Sequence, residues 1–462
     1  MNFASLTFWQ ILTSAFIALS LLRFCIGIEK KPTYDKYALF VLSLVLLVSE
    51  SLLTGFIFLY VACLTYFSLR WGLCRRNSGL VAITALMIAP LFFFKYSGFV
   101  SEETGKWSSV AWYGLIPMGI SFYTFQSIGM VVDLRNQSLG KTPMVRVFNF
   151  LSFFPQIVAG PIERSSDLMP QMDRFEFRIR WSRLESALSW ITLGLFFKIV
   201  LADNLASTLG KLSETGENPA EVGMRILGLG FRIYFDFSGY SFIALGLAKL
   251  LGVNLTLNFR SPYLASSLQE FWRRWHITLS TWIRDYLYIP MGGGRTRRWP
   301  IVVLVVFVLS GAWHGAGWNF LLWGAIHGFG LIFWRICSGK IPNGVIGWLL
   351  TQTVVFIAWL PFFTKDISDC LSSVLVMFNP ESYLKISVMG TIGLFDSRGD
   401  FLVFVVLIAL SFLVLIMEFL SIRNSSSKVY SLFQRSSVRL IMVFLIVVIG
   451  STSEGEFVYF NF

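Results

Sequence analysis

PIVVLVVFVLSGAWHGAGWNFLLWGAIHGFGLIFWRI, residues 300–336, is the stretch that decides the fold. It is far longer than the roughly 20 apolar residues a helix needs to cross a hydrocarbon core. It is also interrupted around Gly311, Gly315 and Gly317. Backbone freed from a helix finds no water inside hydrocarbon, so such a break survives only where protein or a water-filled cavity surrounds it. The run therefore predicts a broken helix that enters and returns, with its break turned inward. A second interrupted stretch, VFNFLSFFPQIVAGPI (147–162), carries Pro155, Gly160 and Pro161 and reads the same way.

Outward from these, apolar segments at 7–26, 37–51, 52–70, 79–99, 111–132, 184–206, 223–251, 345–363, 401–420 and 438–452 make about ten crossings. The 462 residues are 55% hydrophobic and 14% charged, and a mean hydropathy of +0.67 excludes a water-soluble enzyme. The net charge of +12 does not indicate a nucleic-acid binder, because the basic residues lie in short stretches between apolar runs. Such stretches accumulate on the cytoplasmic side of membrane proteins. Arg23, Lys30, Lys31 and Lys36 follow the first span, Arg70, Arg75 and Arg76 the third, and Arg135, Lys141 and Arg146 the fifth. Glu102 and Glu103 follow the fourth. The segments 164–183 and 254–300, Arg335 and Lys340, and the loop with Arg423, Lys428, Arg435 and Arg439 then fall inside. The acidic 211–221 segment and Glu454 and Glu456 fall outside. Both termini are thus expected to be extracytoplasmic. The first 26 residues lack a basic start and an A-x-A site and read as a retained span of a chain starting at Met1. With no internal repeat and no separate soluble domain, 1–462 reads as a single transmembrane domain.

Cys25, Cys63, Cys74, Cys337 and Cys370 form no C-x-x-C pair or Cys/His cluster, so neither a disulfide framework nor a metal site is expected. G-x-S-x-G, P-loop and H-E-x-x-H patterns are also missing, which disfavours serine hydrolysis, ATP-driven transport and metalloprotease chemistry. The three histidines, His276, His314 and His327, fall close together in the chain. His314 sits at the glycine-rich break, where an ionisable group at membrane depth is a functional candidate by default. Its imidazole can act as general base toward a hydroxyl, and N–H groups at a helix start can steady an oxyanion. The bland alternative is a core histidine bonded to a carbonyl. His327, thirteen positions after His314, would point elsewhere even on an unbroken helix.

His276 belongs to FWRRWHITLSTWIRDYLYIPMGGGR (271–295), which is too charged to span and too aromatic for a solvated loop. It reads as interfacial or re-entrant helices on the cytoplasmic face, or as a surface anchor and nothing more. Asp236, inside the seventh span, needs a partner such as Arg, His or Tyr and either bonds structurally or orients the site. Glu50, near a span end, reads as interfacial. The row Ser121, Tyr123, Thr124 and Gln126 either lines a tunnel or bonds between helices.

Five ordered blocks, LIPMGISFYTFQSIGMVVD (115–133), FFPQIVAGPIER (153–164), YFDFSGYSF (234–242), NFRSPYLASSLQEFWRRWHITLSTWIRDYLYIPMGGGR (258–295) and GAWHGAGWNFLLWGAIHG (311–328), closely resemble the membrane-bound O-acyltransferases. The nearest branch looks like the bacterial alginate O-acetyltransferase group, to which the ending FVYFNF (457–462) is also similar. The resemblance implies an all-α polytopic fold of about 10–12 spans with re-entrant helices around a central tunnel. It implies acyl transfer from a cytoplasmic thioester, acetyl-CoA, to a hydroxyl, with no cofactor beyond that donor. His314 carries over as the W-H-G histidine and His276 as the R-x-W-H histidine, with Asp236 and Asn319 in support. One departure is Phe242, where relatives often carry a second acid after Y-F-D-F-S-G-Y-S.

Charge and resemblance together make Arg273, Arg274, Trp275 and Arg284 the expected donor-binding set, since the donor's phosphates cannot cross the bilayer. The expected partners are the bilayer, an extracytoplasmic polysaccharide (alginate, cellulose or peptidoglycan type) and a periplasmic or extracellular O-acetyltransferase protein that receives the acetyl group. The expected location is the bacterial cytoplasmic membrane. Two alternatives remain: the D-alanyl transfer protein of teichoic acid modification, with a carrier-protein thioester, and a transporter or flippase.

Overall fold

A computed structural model describes residues 3, 5–104, 116–135, 143–157, 160–212, 218–340, 344–364, 367–384, 391–424 and 429–451. Lys141, Lys428, Glu454, Glu456 and the FVYFNF ending lie outside the described residues, as do the side chains of Glu102 and Glu103. Among the described residues the secondary structure is helical, apart from one isolated bridge between Leu212 and Phe395. Six helices are long and apolar enough to cross a membrane: Leu6–Phe24, Leu52–Arg70, Asn77–Ser101, Trp181–Leu209, Val345–Phe363 and Arg398–Arg423. Trp299–His314, Ile367–Phe378 and Ser436–Ile449 are shorter apolar helices. The other expected crossings are also helical where described, but shorter or more polar. Ile367–Phe378 is a helix the sequence reading passed over.

The chain divides into two compact units. The first holds residues 1–191 and 240–257, with α1 Leu6–Phe24, α2 Lys31–Val48, α3 Leu52–Arg70, α4 Asn77–Thr104, α5 Ile120–Leu134, α6 Met144–Ser152, α7 Phe154–Ile157 and α8 Ser165–Asp173. Serine oxygens start two of these helices. Ser5 Oγ accepts from the Phe8 N–H and Ser51 Oγ from the Thr54 N–H, each taking up an amide donor that has no partner inside its helix. Arg23 then ties α1 to α2 through a two-pronged ion pair with the buried Asp35, at 2.6 and 2.9 Å. Leu6, Ile17, Leu21 and Leu22 remain exposed on α1, as a lipid-facing helix requires.

Two of the unit boundaries fall inside α9 (Leu184–Leu195) and α11 (Pro219–Leu250), and a third follows Leu257. Between these two helices lie a π turn, Phe196–Ala202, and α10, Asp203–Leu209. The second unit, residues 192–239 and 258–458, also contains α12 Leu268–Arg274, α13 Ile277–Ile283, α14 Trp299–His314, α15 Trp318–Ile336, α16 Val345–Ala358, α17 Leu360–Phe363, α18 Ile367–Phe378, α19 Pro380–Leu384, α20 Arg398–Asn424 and α21 Ser436–Ile449. Its core is aromatic. Trp275, Trp359, Tyr263 and Phe271 are buried against one another, and α20 buries Phe404, Leu407, Ser411 and Glu418 while exposing Leu402, Val406, Leu413 and Ile416. All three histidines belong to this second unit.

Candidate functional site

The 300–336 run folds as expected into two helices with a break. α14 ends at His314 and α15 begins at Trp318. Glycine makes the hairpin tight: a Cβ at Gly311 would stand 2.1 Å from the Phe320 carbonyl oxygen, and one at Gly324 would stand 2.3 Å from that of Phe307. Only residues without a side chain allow backbones this close. Gly311 thus belongs to the helix interface and not to the break, which runs from Gly315 to Gly317.

His314 is buried at the end of α14, its ring edge-on to Trp323 at 4.8 Å and to Phe362 at 5.3 Å. Asn319 supports this arrangement from α15. Its Nδ2 donates to the carbonyls of Pro361 (2.9 Å) and Thr364 (3.1 Å), and so fixes α17, which carries Phe362. His327, set apart by helical phase in the sequence, lies 4.8 Å from the same Trp323. The chain reversal at 315–317 explains this, because phase on one continuous helix does not apply across a hairpin.

Beside α14 lies a cavity of about 620 Å³, lined by Trp299, Val306, Phe307 and Ser310 of that helix and by Trp272, Arg273, Arg284 and Arg335. Arg335 stacks over the Trp299 ring at 4.2 Å, which puts one cation at the start of α14. Ser310 lies at the other end, about 16 Å along the helix and one turn before His314. Of the expected donor-binding residues, Arg273 and Arg284 line this cavity. Arg274 and Trp275 do not. Arg274 pairs with Glu270 and reaches the Ser261 carbonyl, while Trp275 is buried among Phe259, Phe271 and Trp359. Two adjacent positions on a short helix face different ways, and sequence order alone does not say which faces the cavity. Arg335 was read only for topology, although its place in the last turn of the same broken run was visible.

His276 stands at the start of α13 with φ of +41°, a conformation rare outside glycine. Its Nδ1 lies 3.2 Å from Asn258 Oδ1, which also accepts from the Thr278 N–H and hydroxyl. Burial lowers the His276 pKa to about 3, so the ring is neutral, and it packs edge-on to Phe237 at 4.6 Å. The next residue, Ile277, lines the cavity; His276 is not among the lining residues.

Asp236 finds an ion-pair partner in a lysine, a type the sequence reading did not name, with an arginine nearby. Lys198, in the π turn, bridges Asp203 at 2.7 Å and Asp236 at 2.8 Å, with all three side chains buried. Arg232, one turn before Asp236, lies over the Phe363 ring at 5.7 Å and is electrostatically coupled to both carboxylates. Two cations and two anions leave this cluster neutral. The signal was legible: Lys198 interrupts the apolar run LFFKIVLAD five residues before Asp203. In the first unit, Tyr123, Thr124 and Gln126 are buried, and their side-chain polar atoms have no hydrogen-bond partner among the described residues. Phe242 packs against Trp190 at 5.2 Å. No group of three or more His, Cys, Asp or Glu side chains suited to a metal occurs among the described residues.

These features define a polytopic helical membrane protein with a buried histidine on a glycine-packed hairpin and, beside that hairpin's first helix, a largely apolar cavity whose lining includes three arginines. The chain belongs to the membrane-bound O-acyltransferase family, whose match covers residues 67–343 and so all three histidines; it is an acyltransferase. The peptidoglycan O-acetyltransferase of Helicobacter pylori is 32% identical over 436 residues, 83% of this chain and 81% of that protein. A probable alginate O-acetylase of Pseudomonas aeruginosa is 34% identical over 298 residues, 61% of this chain and 56% of that protein. A teichoic acid D-alanyltransferase of Streptococcus thermophilus is 31% identical over 235 residues, 46% of this chain and 56% of that protein.

Proposed function

We propose that this enzyme takes an acetyl group from cytoplasmic acetyl-CoA and delivers it across the membrane for O-acetylation of an envelope polysaccharide of the alginate, cellulose or peptidoglycan type. The observation that carries this reading is the cavity, which has guanidinium groups in its lining and ends one turn before His314. Arg273, Arg284 and Arg335 bind the donor's phosphates, since guanidinium groups match phosphate geometry. The flexible arm of the donor runs along α14 and brings its thioester to His314. His314 removes the proton of the acceptor hydroxyl as that oxygen attacks the thioester carbonyl. Asn319 keeps Phe362 against the imidazole, and Asp236 holds the surrounding helices through Lys198. His276, neutral and bound to Asn258, shapes the turn into α13, whose first residue lines the donor cavity.

The enzyme sits in the bacterial cytoplasmic membrane with both termini outside, and a periplasmic or extracellular O-acetyltransferase protein receives the acetyl group. Similarity to the H. pylori protein over most of both chains supports an envelope glycan as the final acceptor. The teichoic acid relative supports a second reading, in which D-alanine arrives on a carrier protein. Cells carrying wild type or His314→Ala at matched membrane levels separate the outcomes through the ester-linked groups on their glycans. Loss of ester-linked acetyl in the variant is the expected result. Unchanged acetylation overturns the role of His314, and ester-linked alanine in place of acetyl selects the second reading.

A further inference from the structure

A hydrogen-bonding group buried without a partner costs about 1–3 kcal/mol, so folded chains rarely leave several together. Three adjacent side chains of the second unit are among those that do so. His327 is fully buried, and neither ring nitrogen has a hydrogen-bond partner among the described residues. The same holds for the indole Nε1 of Trp272 and of Trp323. These rings form a closed triangle, with centroid separations of 5.0 Å for Trp272–His327, 4.8 Å for Trp323–His327 and 5.8 Å for Trp272–Trp323. Trp272 also lines the cavity with Phe307 and Ser310, and Trp323 meets the His314 ring at 4.8 Å. One corner of the triangle therefore touches the space assigned to the donor, and another touches the assigned base.

We infer that Trp272, Trp323 and His327 form the binding site for the carbonyl of the donor thioester, with the two indole N–H groups donating to its oxygen. The inference rests on the acyl-transfer reading with His314 as base, and it deepens that reading by naming what holds the reacting carbonyl. An indole N–H donates and does not accept, so it suits an oxygen that gains negative charge. A neutral imidazole adds one further donor. As the acceptor oxygen bonds to the carbonyl carbon, its proton passes to His314, and the C=O electron pair moves onto the oxygen held by the indoles. Return of that pair breaks the C–S bond, and the leaving thiolate takes the proton back from His314. No other reactant is consumed. Donors fixed beforehand in a dry site favour the charged intermediate over the neutral carbonyl, so their loss lowers kcat more than it raises KM.

Trp323→Phe and Trp272→Phe keep an aromatic ring and remove only the N–H. The full chain in membrane vesicles with the native acceptor is given acetyl-CoA, and thiol release and acetyl incorporation are followed for wild type, both Phe variants, His327→Gln and His314→Ala. Each Phe variant is expected to lose roughly ten- to a hundredfold in kcat, with KM for acetyl-CoA within about twofold and an unchanged thermal midpoint. His327→Gln retains a donor and is expected to lose less. A kcat within about twofold of wild type in both Phe variants, alongside an inactive His314→Ala, overturns the carbonyl site while leaving the acyl-transfer reading intact. A fully active His314→Ala, or a wild type that does not turn over acetyl-CoA, overturns the reading beneath it and this inference together.

Discussion

Two clusters of buried polar groups in the second unit are treated in opposite ways. Lys198, Asp203, Asp236 and Arg232 balance in charge, and Lys198 bridges both carboxylates. His327, Trp272 and Trp323 leave their nitrogens without hydrogen-bond partners among the described residues. Burying a charge is so unfavourable that the first arrangement is needed for the helices to coexist at all. An unpaired neutral donor costs less and can be kept where a ligand will use it. On the inferred carbonyl site, ion-paired groups hold the helices, whereas the unpartnered donors that reach the cavity and His314 serve the substrate.

The comparison breaks most visibly at Lys198. Lys198→Met leaves Asp203 and Asp236 buried without their shared cation, and removal of one partner from a buried ion pair typically costs about 3–5 kcal/mol. Heating detergent-solubilised protein and following what remains folded should show a large drop in midpoint, with far less protein accumulating in the membrane. The Trp323→Phe variant, by contrast, should melt like wild type. A stable Lys198→Met would place the charge cluster with the site rather than with the scaffold.

An intermediate case sharpens the contrast. Glu163, in the first unit, is a buried carboxyl with hydrogen bonds but, among the described residues, no ion pair: Oε1 accepts from the Thr256 N–H and Oε2 from its hydroxyl. Burial raises its pKa from 4.5 to about 7, and the Thr256 bonds only partly oppose the rise. The folded state therefore holds this proton more tightly than the unfolded chain does. The resulting stabilisation is full below pH 4.5 and is lost as pH rises through about 7. Across that window it amounts to roughly 3 kcal/mol at most. Glu163→Gln keeps an acceptor for the Thr256 N–H and removes the titration. Melting curves across this pH range should slope for wild type and flatten for the variant; parallel slopes would remove Glu163 as the cause.

What the sequence made legible follows from what local rules can carry. The broken run at 300–336 was readable because a glycine interruption in an apolar stretch has few physical outcomes, and the short amphipathic helices around 271–288 followed from charge alternating with aromatic residues. His314 stood out because an ionisable group there is expensive. His327 was set apart on helical phase, which does not carry through a reversal that places both histidines on Trp323. Arg274 and Trp275 were grouped with Arg273 by adjacency, whereas a helix turns neighbouring side chains about 100° apart, one to the cavity and others to Glu270 or the aromatic core. Lys198 was visible as a charge interrupting its own apolar run, but its pairing with Asp236 was not, because tertiary pairing leaves no periodic trace.

Asn319 provides the finest test, since it is a satisfied group that nonetheless serves the site. Its two hydrogen bonds to the Pro361 and Thr364 carbonyls hold α17, and α17 holds Phe362 against His314. Asn319→Leu keeps a similar volume but leaves both carbonyls without that donor, at a cost of about 1–2 kcal/mol in stability. If the loss lets Phe362 drift, His314 samples more orientations, and kcat should fall by about tenfold while KM for the donor stays unchanged, since displacement of a reacting group is paid mainly in the chemical step. Asn319→Gln, whose longer side chain still presents an amide donor, should recover part of the rate. A variant that loses stability but keeps its full kcat would assign Asn319 to the scaffold with Lys198, and the line between scaffold and site would then run between Asn319 and His314.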